Sequence, residues 1–404
     1  MGLVSEQPLF EAFGQRALLL TTYGGADFGE CLTTGARVGA GSGDDWHREW
    51  VATADRVAAW GEESERGKHA VSARSAFFRA ATYYRVANMP LFGAPVDPRL
   101  RETFDKETEV FLRAARQPVW PDIEPVEIPF GSTTLPGYLV TVDDSGAPRP
   151  TIVHTNGYDS TIQEMYFAHA PEALARGYNV LLYDGPGQGR PLIHQGLHMR
   201  PDWEAVGRAV VDYALTRREI EPSAIVLSGW SFGGYLAPRA AAFDDRLAAL
   251  VADPGMWDQR EGIVRMLPVD DEAKQRFPDV DPHVLDPMVE WLESPEAPAE
   301  MRWKLLQRGL WVHGVPTLFE YMRAMMDFQL SPVAARIRCP TLVTQSENDP
   351  LAGAAGMLHD SVGATRKALV RFTAAEGAGG HCEATARRLY HQRVFDWLDE
   401  VLSG

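Results

Sequence analysis

The stretch GWSFGG, Gly229 to Gly234, places a serine with glycine two residues to either side. An apolar run, AIVLSGW from Ala224, precedes Ser231, and an alanine-rich segment, YLAPRAAAF, follows it. A strand, a tight turn and a helix start are the setting in which a serine hydroxyl stands exposed at a strand end. Small residues must flank it, and free N–H groups at the helix start face any oxyanion that forms there. As a bare pentapeptide the pattern recurs by accident; the strand before it and the helix after it argue against accident. A serine needs a base and an acid to become a nucleophile. His381, in the glycine-rich AAEGAGGHCEA after a late apolar run, is the expected base, whereas His359 and His391 fall in helical-looking segments. For the acid, TQSENDP offers Glu347 and Asp349 at a strand end, and Asp349 is preferred. Asp253 in VADPG, one strand earlier, is its rival.

An oxyanion hole needs two backbone donors. The expected pair is Phe232, after the serine, and Tyr158 in HTNGYDST, where Gly157 lets the loop approach. The Tyr158 side chain, Trp230 and Trp257 are candidates for the substrate pocket. His154 reads as a core histidine with its hydrogen bonds satisfied. YDGPGQGR, Tyr183 to Arg190, lacks both the G-x-G-x-x-G frame and a Walker lysine, so it reads as a structural turn near the serine rather than a phosphate cradle.

The elements that must position these groups follow from the pattern. Helical spacing of Trp46, Trp50, Ala54, Val57 and Ala58, with Asp44 as cap, predicts a helix, and SARSAFFRAATYYRVANMPLF predicts a second beyond Gly67. Pro118, Pro121 and Pro125 mark a boundary. EPVEIPFGSTTLPGYLVTVDD then reads as a hairpin, followed by six short apolar runs beginning near Thr151, Tyr178, Ala224, Leu247, Cys339 and Ala368. Such runs separated by helices mean an α/β fold with a mostly parallel sheet. About 80 residues between the fourth and fifth of these runs exceed a normal crossover and predict a helical insertion over about 256–335. The division is a helical N-terminal cap over 1–120 and a catalytic domain over 121–404.

Composition sets limits on partners. The chain has 404 residues and a net charge of −16. That acidity argues against nucleic acid or an anionic membrane as partner, since phosphates repel it. No apolar run reaches the roughly 18 residues a membrane helix requires. Cys31, Cys339 and Cys382 are too few and too scattered for a disulfide framework or metal site. The N-terminal stretch carries Glu6 and Glu11 and does not read as a signal peptide. A cytoplasmic protein with no metal and no cofactor is expected.

GWSFGG, DGPGQG, NGYDST, END and GGHC together resemble the α/β-hydrolase superfamily. More narrowly, GGADFGECL, WHREWVATADRV, SARSAFFRAATYYR, the run from Pro201 to Gly255 and the closing GAGGHCE resemble the 2,6-dihydroxypseudooxynicotine hydrolase group, which takes in fungal hydrolases that shorten polyketide chains. The resemblance extends over most of the chain. It implies an α/β-hydrolase fold with an eight-stranded, mostly parallel sheet, a helical N-terminal domain, a helical lid and a homodimer. It also implies a triad of Ser231, Asp349 and His381, and hydrolytic C–C cleavage next to a ketone, with ester or amide-like cleavage in relatives. Some members use a further acid after the strand that follows the serine; Asp253, Asp258 and Glu261 are the nearest here.

The expected substrate is a small apolar or aromatic carbonyl compound, such as an aryl ketone or 1,3-diketone whose leaving carbanion is stabilised as an enolate. Trp46, Trp50, Phe77, Tyr83, Trp257, Trp303 and Trp311 supply aromatic surface in the covers, at least half of it expected to be core. Three readings compete: an esterase or thioesterase, an acyl transferase or cyclase using the same triad, and a non-catalytic binding protein. Labelling by a fluorophosphonate separates the last from the others.

Overall fold

The computed structural model describes residues 2–403. Eight strands form one sheet: β1 (Ile123–Phe130), β2 (Thr133–Val140), β3 (Arg149–Thr155), β4 (Asn179–Tyr183), β5 (Ile220–Trp230), β6 (Ala249–Asp253), β7 (Thr341–Ser346) and β8 (Lys367–Phe372). Their order is β1-β2-β4-β3-β5-β6-β7-β8. β1 and β2 form the antiparallel hairpin, β2 pairs antiparallel with β4, and the remaining neighbours are parallel. All five residues of β4 and all five of β6 are buried, as continuous apolar runs require when helices cover both faces. From β3 the chain adds β4 to one side, then β5 through β8 in turn to the other. The C-terminal ends of β3 and β5 therefore lie at the switch point where open α/β sheets bind ligands.

Before the sheet, helices Pro8–Leu19, Phe28–Val38, Gly43–Arg66, Ala70–Ala87 and Pro98–Ala115 pack together. The third and fourth are the two helices read from the sequence. Their shared face is aromatic: Trp46 and Trp50 ring centroids lie 5.3 Å apart and Trp50 lies 5.7 Å from Tyr83. The cap of Gly43–Arg66 differs from the expectation. Ser42, not Asp44, accepts from the Asp45 amide, and Asp45 in return accepts from the Ser42 amide, a reciprocal box. Asp44 lies one position inside the helix, where its side chain pairs with Arg99 at 2.8 Å.

Between β6 and β7 the chain is helical, from Gln259–Met266 to Leu318–Met325. Aromatic contacts seat this segment on the N-terminal helices. Phe13 and Trp303 centroids lie 5.0 Å apart, Phe92 and Trp311 5.3 Å, and Trp303 Nε1 donates to the Met89 carbonyl at 2.9 Å. All seven cover aromatics named from the sequence are buried, and Trp46, Trp50, Tyr83, Trp303 and Trp311 join neighbouring helical segments. No helix among the described residues is long and apolar enough to cross a membrane.

Candidate active site

Ser231 follows the last residue of β5 and precedes the helix Gly233–Ala241. It is a non-glycine residue at φ +59°, a left-handed conformation that costs on the order of 1 kcal/mol or more and needs its surroundings to hold it. The amide of Ser231 does so by donating to the Asp253 carbonyl at 2.7 Å. The flanking glycines leave no room for a side chain: a Cβ on Gly229 would lie 2.0 Å from the Gly233 carbonyl oxygen, and one on Gly233 2.4 Å from that of Thr155.

Ser231 Oγ and His381 Nε2 lie 2.9 Å apart, and His381 Nδ1 lies 2.9 Å from Asp349 Oδ2. A carboxylate only accepts, so Nδ1 carries the proton and Nε2 is free to accept from the serine hydroxyl. Asp349 also accepts from the amides of Leu351 and Cys382, at 2.9 and 3.1 Å. Burial pushes its pKa up, but the His381 hydrogen bond and charge and these two amides outweigh burial, so the group stays below the ordinary carboxylate range. Glu347, its neighbour on the same loop, is exposed and accepts from the Ala374 amide at 2.7 Å.

Asp253, the rival acid, does not meet the imidazole. It is fully buried, accepts from Thr344 Oγ1 at 3.0 Å and pairs with Arg387 Nη1 at 3.2 Å. The same Arg387 nitrogen donates to the Cys382 carbonyl at 2.9 Å. Glu383, also buried, accepts from Ser346 Oγ at the end of β7. Burial raises the pKa of both acids; the Asp253 charge and hydrogen bond raise Glu383 further, whereas Arg387 and a hydrogen bond from Glu383 act to lower Asp253, so the shared proton rests on Glu383. This cluster underpins the site through the backbone: Asp253 holds the Ser231 amide, Arg387 the residue after His381, and Glu383 the strand that leads to Asp349. Asp258 instead accepts from the amides of Leu330 and Ser331, at 2.7 and 2.9 Å, and Glu261 is exposed.

The loop after β3 folds against the serine: a Cβ on Gly157 would lie 2.9 Å from Ser231 Cβ. Among the described residues, neither the Tyr158 nor the Phe232 amide donates to a protein acceptor. The Tyr158 and Phe232 rings meet edge to face at 5.3 Å, and His313, 5.6 Å from Tyr158, and Phe328, 5.2 Å from Phe232, extend this aromatic wall. Burial raises the Tyr158 phenol pKa and lowers that of His313 to about 3, so both side chains are neutral. The YDGPGQGR turn packs as expected and also holds the loop. Gln188 Nε2 donates to the carbonyls of Asn156 and Gly157 at 2.8 and 2.9 Å, while its Oε1 accepts from the Gly185 amide at 2.8 Å.

Of two pocket candidates and one histidine, the histidine sits differently from its sequence reading. Trp230 is half-buried beside Ser231, its ring 5.2 Å from the Arg387 guanidinium and 5.4 Å from His169. Trp257 is buried, its carbonyl accepting from Gln259 at 3.1 Å. His154 is a core residue but not a satisfied one: neither ring nitrogen has a protein partner, and the ring lies 3.9 Å from His169. Burial lowers its pKa to about 3, so the neutral form packs there without a counter-charge.

Residues 152–391 match the model of the alpha/beta hydrolase family. Hydrolase acrC of Aspergillus aculeatus is 31% identical, over 95% of this chain and 94% of its own length. The 20-hydroxy-prefusarin hydrolase FUS2 of Gibberella moniliformis is 30% identical, over 96% of this chain and 95% of its own. Among solved structures, 2,6-dihydroxy-pseudo-oxynicotine hydrolase superposes with a TM-score of 0.74 at 23% identity, covering 95% of both chains. The chain belongs to the α/β-hydrolase family and is a hydrolase.

Proposed function

We propose that this protein is a serine hydrolase that cleaves a carbon–carbon bond beside a carbonyl through an acyl-enzyme. The observation that carries the reading is the unbroken relay of two 2.9 Å contacts from Ser231 through His381 to Asp349. His381 Nε2 takes the hydroxyl proton as Ser231 Oγ bonds to the carbonyl carbon, and Asp349 stabilises the imidazolium. The Tyr158 and Phe232 amides receive the oxyanion. As the carbonyl re-forms, the C–C bond breaks, its electron pair leaves as an enolate or phenolate-like carbanion, and His381 returns the proton to that fragment. Water, deprotonated by His381, then attacks the acyl carbon and releases a carboxylic acid and free Ser231.

The choice of a C–C bond draws on the resemblance to the 2,6-dihydroxypseudooxynicotine hydrolase group. The wall of Tyr158, Phe232, His313 and Phe328 supports a flat, apolar carbonyl substrate. On the same reading, residues 1–120 form a cap domain, 121–404 the catalytic domain with a lid at about 256–335, and the protein works as a cytoplasmic homodimer.

The test is trapping. Incubation with a set of aryl ketones, 1,3-diketones and p-nitrophenyl esters, followed by mass spectrometry, should find the acyl group on Ser231. Ser231→Ala should lose turnover by ~10⁴-fold or more and escape fluorophosphonate labelling. Folded protein whose Ser231 resists the probe overturns the serine reading. Ester turnover with every ketone and diketone inert overturns the C–C assignment alone.

A further inference from the structure

Asp159 follows Tyr158 directly, and three arginines from three separate helices converge on it. Arg16, on the helix Pro8–Leu19, donates from Nη1 to Asp159 Oδ1 at 2.7 Å. Arg308, in the helical segment between β6 and β7, donates from Nη1 to Oδ2 at 2.5 Å. Arg85, on the helix Ala70–Ala87, donates from Nη2 to the Asp159 carbonyl. The pairs are mostly buried, with 14% of the Asp159 side chain, 16% of Arg308 and 23% of Arg16 exposed. Burial acts to raise the Asp159 pKa, but Arg16 and Arg308 overcome it and hold the group far below the carboxylate range.

Each arginine is anchored independently of Asp159. Arg16 makes a two-point pair with Glu164, Nε at 2.7 Å and Nη2 at 2.5 Å, at the start of the helix Ile162–Ala175. The Arg308 guanidinium lies 4.8 Å above both the Tyr158 and the Trp303 rings. Gln307, beside it, donates to the Pro90 carbonyl at 2.8 Å. The loop that carries the Tyr158 amide is therefore tied to the N-terminal helices and to the β6–β7 segment through one side chain. Among the described residues nothing comparable ties down Asp349, His381 or the Ser231 turn, whose partners come from the sheet ends and the loop and helix after β8.

We propose that Asp159 is a positioning residue: it sets the Tyr158 amide for the oxyanion only while Arg16 and Arg308 both engage it, so that docking of the two helical covers assembles the oxyanion hole. The inference rests on the serine-hydrolase reading above. Without the Arg308 contact the loop keeps only its Arg16, Arg85 and Gln188 supports.

The test compares Asp159→Asn, Arg308→Gln, Arg308→Lys and Ser231→Ala on a p-nitrophenyl ester, with the rate of fluorophosphonate labelling as a second readout. Asp159→Asn and Arg308→Gln should each lower kcat by ~10–100-fold, below the cost of deleting an oxyanion donor. KM should stay within ~3-fold, since binding and oxyanion stabilisation are separable. Labelling should slow in parallel, and Arg308→Lys should recover at least a third of the lost rate on a logarithmic scale, because an ammonium can still pair with Asp159. Should Asp159→Asn fail to fold, the two Arg308 variants decide, since Arg16 still neutralises Asp159 in them. A folded Arg308→Gln with kcat and labelling within ~2-fold of the parent overturns the proposal, as does a loss of rate tracking thermal stability without rescue by lysine. Ser231→Ala that keeps its turnover overturns the serine reading instead.

Discussion

The Ser231–His381–Asp349 relay and the Tyr158 loop lie side by side but are held in different ways. The triad is held by neighbours: Ser231, Asp349 and His381 lie just beyond the C-terminal ends of β5, β7 and β8, and their supports come from β6, β7 and the chain just after His381. The loop of Tyr158 is held by residues far away in sequence, Arg16, Arg85 and Arg308, with Gln188 closest. On the proposed mechanism, proton transfer belongs to the sheet, whereas stabilisation of negative charge belongs to the helices that cover it. Changes on the two sides should fail differently: the first kind abolishes the nucleophile, and the second leaves the nucleophile intact but poorly assisted.

The largest effect on the triad side, after loss of the serine itself, is expected from Asp349. Asp349→Ala leaves His381 Nδ1 and the Leu351 and Cys382 amides without their acceptor. The imidazole loses both its tautomer and its counter-charge, and kcat should fall by ~10³–10⁴-fold. Asp253→Asn should cost far less at the chemical step, because Asp253 holds Arg387 rather than the imidazole. Measuring both variants on one ester separates the two acids; equal losses would mean that the geometry misassigns them.

On the loop side a smaller effect is expected from Gln188→Leu. It removes two donors from the carbonyls of Asn156 and Gly157 and one acceptor from the Gly185 amide, all of them buried. Buried backbone groups left unpaired cost about 1–3 kcal/mol each before relaxation, so stability should drop. With the arginines still in place, kcat should fall by only about 10-fold. Steady-state kinetics beside a thermal melt checks this. A kcat loss as large as that of Asp349→Ala would break the contrast between the two halves.

This contrast also explains what could be read from sequence. Ser231, His381 and Asp349 each sit in a short local pattern, a glycine-bracketed turn or the end of an apolar run, because the chemistry and the sheet edge fix their immediate neighbours. The strands themselves, though not their order in the sheet, followed from apolar runs for the same reason. Arg16, Arg85, Arg308 and Asp159 carry no local mark: an arginine on a helix face looks like any solvated charge until the helix finds its partner. Gln188 was within reach, since a turn beside the serine needs something to hold it, but the glycines of DGPGQG draw attention away from the one side chain that does. Aromatic type alone does not divide pocket from core: Trp46, Trp50 and Tyr83 are buried where the N-terminal helices meet.

The smallest expected effect concerns stability and lies beside the loop's arginines. Glu107 is fully buried with Oε1 accepting from Thr161 Oγ1 at 2.8 Å, while Glu107 Oε2, Arg85 Nε and Gln163 Oε1 have no protein partner. These three residues line a cavity of about 10 Å³, room for one water that could join them. Burial raises the Glu107 pKa to about 8, against the pull of Arg85. A carboxyl raised on folding binds its proton more tightly in the native state. Its effect on stability is therefore neutral below the unfolded pKa of roughly 4.3 and increasingly unfavourable as pH climbs toward the folded value. Glu107→Gln keeps the acceptor for Thr161 and removes the titration. Its melting temperature should match the parent near pH 5 and exceed it by a few degrees at pH 8, with kcat unchanged at pH 7. A gap that stays constant or narrows with rising pH would show that Glu107 is ionised in the folded protein. Its charge would then belong to the pairing scheme of Arg16, Arg85 and Arg308, bringing that set to three arginines against three acids.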